Sequence, residues 1–188
     1  WTRVLTTSTG SGRGANFYAL AVNPATPTMV FAGGYESAGT SSHAVVYRSI
    51  DGGTSWTRVL SATEGTGQQF TALAVHPLTT TMVYAGSQIP KYVYRSSDGG
   101  DTWEQIHYER GFRLAIHPPS TVYAADDWRE IDSSLSRGDS GTWAKVGQNT
   151  PGLIQSLAID LGTAPSTLYL GLRVEGIVRS TDGGLTWA

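Results

Sequence analysis

The chain has 188 residues, 39% of them hydrophobic and 15% charged, and 13 Lys and Arg stand against 15 Asp and Glu for a formal net charge of -2. That balance lacks the positive field needed to hold a nucleic-acid backbone, so nucleic acid is not an expected partner. No run of about 18 apolar residues is present to span a bilayer, and the absence of cysteine removes disulfides, thiolate chemistry and thiolate zinc sites together.

The chain opens WTRVL without a charged-then-apolar leader, and the same five letters return at 56 to 60. Opening on Trp1 rather than Met, it is expected to be a piece of something longer. A first predicted strand with alternating apolar residues, FYALAV (17 to 22), leads through the turn VNPATPT into a second, TMVFAGG, and a third, AVVYRS (44 to 49). The phrase SIDGGTSW (49 to 56) then turns into a fourth. This series recurs as FTALAV (70 to 75), TMVYAGS, YVYRS (92 to 96) and SSDGGDTW (96 to 103). It recurs again as FRLAI (112 to 116), STVYAAD and the degenerate SRGDSGTW (136 to 143). The last copy runs IQSLAI (154 to 159), STLYLGL, GIVRS (176 to 180) and STDGGLTW (180 to 187).

The tryptophans of the phrase fall at 1, 56, 103, 143 and 187, a period in the forties that suits four short strands and their turns. Blades are expected at about 6 to 60, 61 to 106, 107 to 146 and 147 to 188, with residues 1 to 5 serving as strand D of the last or a preceding blade. Calling the strands A to D, strand A puts Leu20, Leu73, Leu114 and Leu157 on one face and Ala21, Ala74, Ala115 and Ala158 on the other. Small side chains at one station suit the innermost strand of sheets set radially about an axis. The expected fold is an all-β propeller of four-stranded antiparallel blades, four in this chain, forming a closed small ring or part of a larger one.

In S-x-D-G-G-x-T-W, Gly supplies positive φ, the Asp and hydroxyl side chains satisfy backbone groups of their own turn, and Trp buries apolar area. The structural residues of the turns are therefore Ser49, Asp51, Gly53 and Trp56; Ser96, Asp98, Gly100 and Trp103; Ser136 and Trp143; and Ser180, Asp182, Gly184 and Trp187. Aligned on its Trp, the third copy has Gly138 where Asp belongs and Ser140 where Gly belongs. The phrase resembles the Asp-box, or BNR repeat, of sialidases, xyloglucanase-type glycosidases, sortilin-like receptors and photosystem assembly-factor-like propellers. That resemblance implies a propeller that binds on the rim opposite the boxes, and it is shared by enzymes and non-enzymes alike.

The opposite rim is built from the B-C and D-A connections. Trp128 is the only Trp outside the box station, and Asp126, Asp127, Arg129 and Glu130 flank it. Tyr108, Glu109 and Arg110 join it as ligand-binding candidates, as do Tyr35 and Glu36. A rim Trp flanked by charges suits a sugar ring or a protein partner; the alternative is that it covers its own loop.

Glycosidase carboxyls, were there any, would come from Glu36, Glu64, Glu109, Asp126, Asp127, Glu130 and Glu175. The Phe/Tyr-Arg-Ile-Pro motif of sialidases is absent. Arg48, Arg95 and Arg179 share one strand-end station and read as structural, and His76 and His117 fall at the turn station of Asn23 and Asp160, where they read as caps rather than metal ligands. Arg137, Gly138 and Asp139 spell RGD inside the degenerate box and read as chance. No calcium loop or dinucleotide motif passes its context test, so no cofactor or metal is expected. The favoured reading is a non-catalytic binding or scaffolding module for carbohydrate or protein, extracellular or periplasmic, with self-association through open blade edges. The alternative is a glycoside hydrolase or part of one.

Overall fold

The computed structural model describes residues 2–5, 14–38, 41–62, 68–108, 112–147, 150–162 and 166–188. Each repeat folds as an antiparallel meander whose strands pair only with their chain neighbours. Blade 1 holds β1 (Ala15–Val22), β2 (Val30–Ala38), β3 (Ser41–Ser49) and β4 (Thr57–Ala62). Blade 2 holds β5 (Phe70–Val75), β6 (Val83–Ser87), β7 (Tyr92–Ser96) and β8 (Glu104–Tyr108). Blade 3 holds β9 (Arg113–His117), β10 (Thr121–Ala125), β11 (Ile131–Ser134) and β12 (Trp143–Gly147). Blade 4 is three-stranded, with β13 (Ile154–Asp160), β14 (Thr167–Leu172) and β15 (Gly176–Ser180), and Ala188 exchanges both backbone hydrogen bonds with Arg179 beside β15.

No single core holds the blades. Three apolar clusters do, one per interface: Phe31, Val46, Phe70 and Trp103 between blades 1 and 2; Tyr84, Val93, Val122 and Trp143 between 2 and 3; Tyr123, Ile131, Leu168 and Trp187 between 3 and 4. The strand A leucines face the preceding blade, so that Leu73 Cδ1 lies 3.2 Å from where a Gly33 Cβ would stand. The chain is an open arc of a β-propeller. Its four blades do not close, because Leu20 is 71% exposed on blade 1 and Ile177 is 76% exposed on blade 4.

The expected turn chemistry is present in blades 1, 2 and 4. Ser49 Oγ accepts the Gly53 N–H at 2.8 Å and donates to Asp51, whose carboxylate takes the Ser55 N–H and hydroxyl. Asp98 and Asp182 do the same with Thr102 and Thr186. These bonds to the ionised form pull the Asp51 carboxyl down to about 2, and hold Asp98 and Asp182 well below the usual range. Each aspartate serves its own turn. The Trp56, Trp103 and Trp143 indoles donate to Gly53, Gly100 and Gly138 carbonyls.

Blade 3 corrects the sequence alignment. The serine station belongs to Ser134, not Ser136: Ser134 Oγ accepts the Gly138 N–H at 3.0 Å, as Ser49 does for Gly53. Ser134 lies nine positions before Trp143 where Ser49 lies seven before Trp56, so the turn is two residues longer and counting back from Trp lands on the wrong serine. Ser136 holds the Asp station and Gly138 the Gly station. With no carboxylate between them, the Ser134 and Thr142 hydroxyls meet directly at 2.6 Å.

The remaining sequence puzzles resolve as structure. Asn23 Oδ1 and His76 Nδ1 each accept two backbone N–H groups of the A-B turn, and burial lowers the His76 pKa. The RGD tripeptide is held in an interface, where Arg95 takes both the Arg137 carbonyl and the Asp139 carboxylate.

Ser134 is fully buried, so Ser134→Ala leaves the buried Gly138 N–H without a partner and is expected to cost about 1–3 kcal/mol. Exposed Ser136→Ala is expected to stay within about 0.5 kcal/mol. Urea unfolding of the two variants checks the assignment; the reverse order restores Ser136 to the station.

Candidate functional site on the loop-rich rim

Asp126 begins the B-C connection of blade 3 at 2% exposure, with its carboxylate inside the loop. Its Oδ1 accepts the Trp128 N–H at 2.8 Å and the Glu130 N–H at 3.3 Å, while the Asp126 N–H bonds to the Glu130 carbonyl. This closes a tight turn in which Arg129 takes φ 80°. Lys91 of blade 2 reaches across to Asp126 Oδ2 at 3.4 Å and Asp127 Oδ1 at 3.2 Å, and its ammonium lies 5.9 Å from the Trp128 ring centroid.

The loop thus splits the sequence candidates in two. Asp126 holds the turn, Asp127 pairs with Lys91, and Glu130 pairs with Lys145 at 3.4 Å. Trp128, 70% exposed, and exposed Arg129 face outward from it. Lys91, which anchors this arrangement, was not among the sequence candidates, because its partners come from a different blade.

The other candidates sit in separate clusters on the same rim. Tyr108 is 64% exposed and meets Tyr92 edge-on, with ring centroids 5.4 Å apart. Tyr35 stacks on Tyr18 at 6.1 Å and takes a hydrogen bond from Asn16. Glu36 is buried: it accepts the Tyr47 hydroxyl and pairs with Arg58 at 3.1 Å, and burial with that bond pushes the Tyr47 phenol up to about 12. Glu64, Glu109 and Arg110 lie outside the described residues.

An open depression of about 450 Å³ lies at the rim end of the inner strands, and sequence analysis did not find it. Tyr18, Gln69, Thr71, Gln88, Phe112 and Arg113 line it, drawn from three blades. The Gln69 and Gln88 amides bond to each other, and the Arg113 guanidinium lies 4.0 Å over the Phe112 ring while donating to the Phe112 carbonyl. A second cross-blade pair, His107 with Asp132 at 2.8 Å, stacks His107 on Trp143. Among the described residues, no group of three or more His, Asp or Glu side chains gathers as for a metal, and no helix is long and apolar enough to cross a membrane.

No family model matches the chain, and no curated protein matches it in sequence. Solved structures do match in fold. YCF48 bound to D1 peptide aligns with TM-score 0.68 at 14% identity over 92% of this chain and 52% of that one. An ancestral GH74 enzyme aligns with TM-score 0.67 at 20% identity over 99% of this chain and 25% of that one. Chaetomium thermophilum Sqt1 bound to the N-terminus of the ribosomal protein L10 aligns with TM-score 0.63 at 16% identity over 88% and 45%. The chain spans about half the length of these proteins or less. These likenesses define the class: the chain is built as part of a β-propeller.

Removing the Asp126 carboxylate takes acceptors from two backbone N–H groups and a partner from Lys91, so Asp126→Ala is expected to cost about 1–3 kcal/mol. Asp127, 37% exposed in its side chain, pairs with Lys91 and holds no backbone N–H of the turn, and Asp127→Ala is expected to cost under about 0.5 kcal/mol. Chemical denaturation distinguishes them; equal losses would mean that Asp126 is no special anchor.

Proposed function

We propose that this arc is a non-catalytic Asp-box module that binds a partner on its loop-rich rim, with Trp128 as the anchor and Arg129 beside it. A protein segment is the favoured ligand and a carbohydrate the second. The single observation that carries the reading is the division of labour in the 126–130 loop, where buried Asp126 and Lys91 hold a 70% exposed Trp in place. A large aromatic held from below presents contact area at little further entropic cost, which is the property of an interface hot spot. Support for a protein ligand comes from the guanidinium and amide groups of the three-blade depression, which suit backbone carbonyls, and from two fold neighbours seen with bound peptides. A Gly-, Ser- and Thr-rich composition with only 15% charged residues supports an extracytoplasmic setting.

The hydrolase reading draws on the GH74 likeness, and it needs two carboxyls flanking one bond. Of the five described candidates, Glu36, Asp126, Asp127 and Glu130 are paired with cations. Glu175 has no cation partner among the described residues. Among the described candidates that leaves one acid without a cation, where the mechanism needs a pair.

Peptide-display and glycan-array selection on the whole chain, followed by calorimetry on the best ligand, tests the proposal. Trp128→Ala is expected to weaken binding at least about thirtyfold, the scale of a hot-spot residue, without changing thermal stability. Binding unchanged by that substitution removes Trp128 from the site, and turnover of xyloglucan or a sialoside that is lost on replacing Glu175 establishes the enzyme instead.

A further inference from the structure

The face that each blade turns toward its successor repeats one set of stations, and blade 4 leaves its copy uncovered. Strand B contributes an aromatic, paired in register with the residue just before the box serine: Phe31 with Arg48, Tyr84 with Arg95, Tyr123 with Ser133, Tyr169 with Arg179. Strand C adds a β-branched residue two positions earlier. Val46, Val93 and Ile131 are each 0% exposed under the next blade, whereas Ile177 at the same station is 76% exposed.

The arginine reads the next blade's turn. Arg48 Nη1 donates to the Gly99 carbonyl at 2.8 Å and to Asp101 at 2.7 Å; Arg95 Nη1 donates to the Arg137 carbonyl at 2.9 Å and to Asp139 at 2.6 Å. Both acids stand directly after the Gly that bonds to the box serine, Gly100 in one case and Gly138 in the other. Where blade 3 has Ser133 in place of Arg, the turn of blade 4 has Leu185 in place of the acid. Arginine and acid are thus present together in two interfaces and absent together in the third. Arg179 is exposed on blade 4 beside Tyr169, with no acidic partner among the described residues. Blade 1 offers Thr54 at the acid station, a neutral side chain, so a second copy of this chain is not the matched occupant.

We propose that the outer face of blade 4, formed by Tyr169, Ile177 and Arg179, docks a partner Asp-box blade whose turn carries Asp or Glu immediately after its second glycine. Arg179 bridges that acid and the backbone carbonyl two residues before it, while the turn covers Tyr169 and the strands of the same blade cover Ile177. The occupant is fixed by continuity with three stacked interfaces, two of which carry the arginine–acid pair, and by the charge of Arg179, which selects against turns lacking the acid.

The whole chain supplies its own probe. Thr54 is exposed and Asp101 fills the same station in blade 2, so Thr54→Asp creates the cognate turn without disturbing the fold. Head-to-tail self-association is measured by sedimentation equilibrium for the wild type, T54D, R179A and T54D/R179A, with melting curves confirming folded protein. T54D is expected to tighten association about tenfold or more, and R179A to cancel that gain while leaving the wild-type value within about twofold. The swapped pair T54R/R179D is a second arm, expected to associate more tightly than either single variant. The proposal is overturned if neither T54D nor the swapped pair tightens association, or if the T54D gain survives R179A. Wild-type association that itself depends on Arg179 also overturns it, because a turn without an acid would then suffice and a second copy would be the occupant.

Discussion

The structure depends on the close approach of one blade's turn to the side chains of the blade before it. At Gly100, φ is +96° and a Cβ would lie 2.9 Å from the ring of Phe31; at Gly138 it would lie 2.6 Å from Ile106. Glycine is required there twice over, for the backbone conformation and for the space. The N–H of the same residue points into the turn at a buried serine hydroxyl, and its carbonyl takes the tryptophan indole. One residue thereby joins the hairpin's own hydrogen bonding to the packing between blades. The aspartate completes the turn from its exposed side. Its carboxylate bonds lie within its own turn.

Because the glycine turns fix the interfaces at one rim, the opposite rim is free to vary. Its connections differ in length and chemistry from blade to blade, and its ordered features are assembled across blades: Lys91 of one under the Trp128 loop of the next, His107 against Asp132, Gln69 and Gln88 beside Phe112 and Arg113. A ligand bound on this rim, as proposed, would meet groups whose spacing is set by blade stacking, and disturbing an interface would then alter binding without touching a ligand contact.

Sequence period and local chemistry revealed whatever is confined to one blade. The strands alternate and the Asp and Ser letters announce their own hydrogen bonds, whereas the alanines of strand A, expected at a crowded station, line an open groove in which Ala115 is buried and Ala158 exposed. What lies between blades was hidden. Asp101 and Asp139 looked like free letters of the phrase, because their arginine partners are 53 and 44 residues away. Arg48 and Arg95 could be recognised as structural from their common station, but not as readers of the next turn. Ser134 was missed for a different reason: an insertion between serine and tryptophan cannot be seen when Trp is the anchor of the alignment. Trp128 stood out by being off-station, whereas Lys91 had no repeat signature to mark it.

Amide hydrogen exchange resolved by residue tests the central claim most directly. If the turn glycines join hairpin and interface, the Gly100, Gly138 and Gly184 amides exchange with the same free energy as the strands buried between blades, such as those of Val93 and Ile131. Rapid independent exchange at those glycines, with the interface strands still protected, would show that the blades are held together without them and would contradict the account.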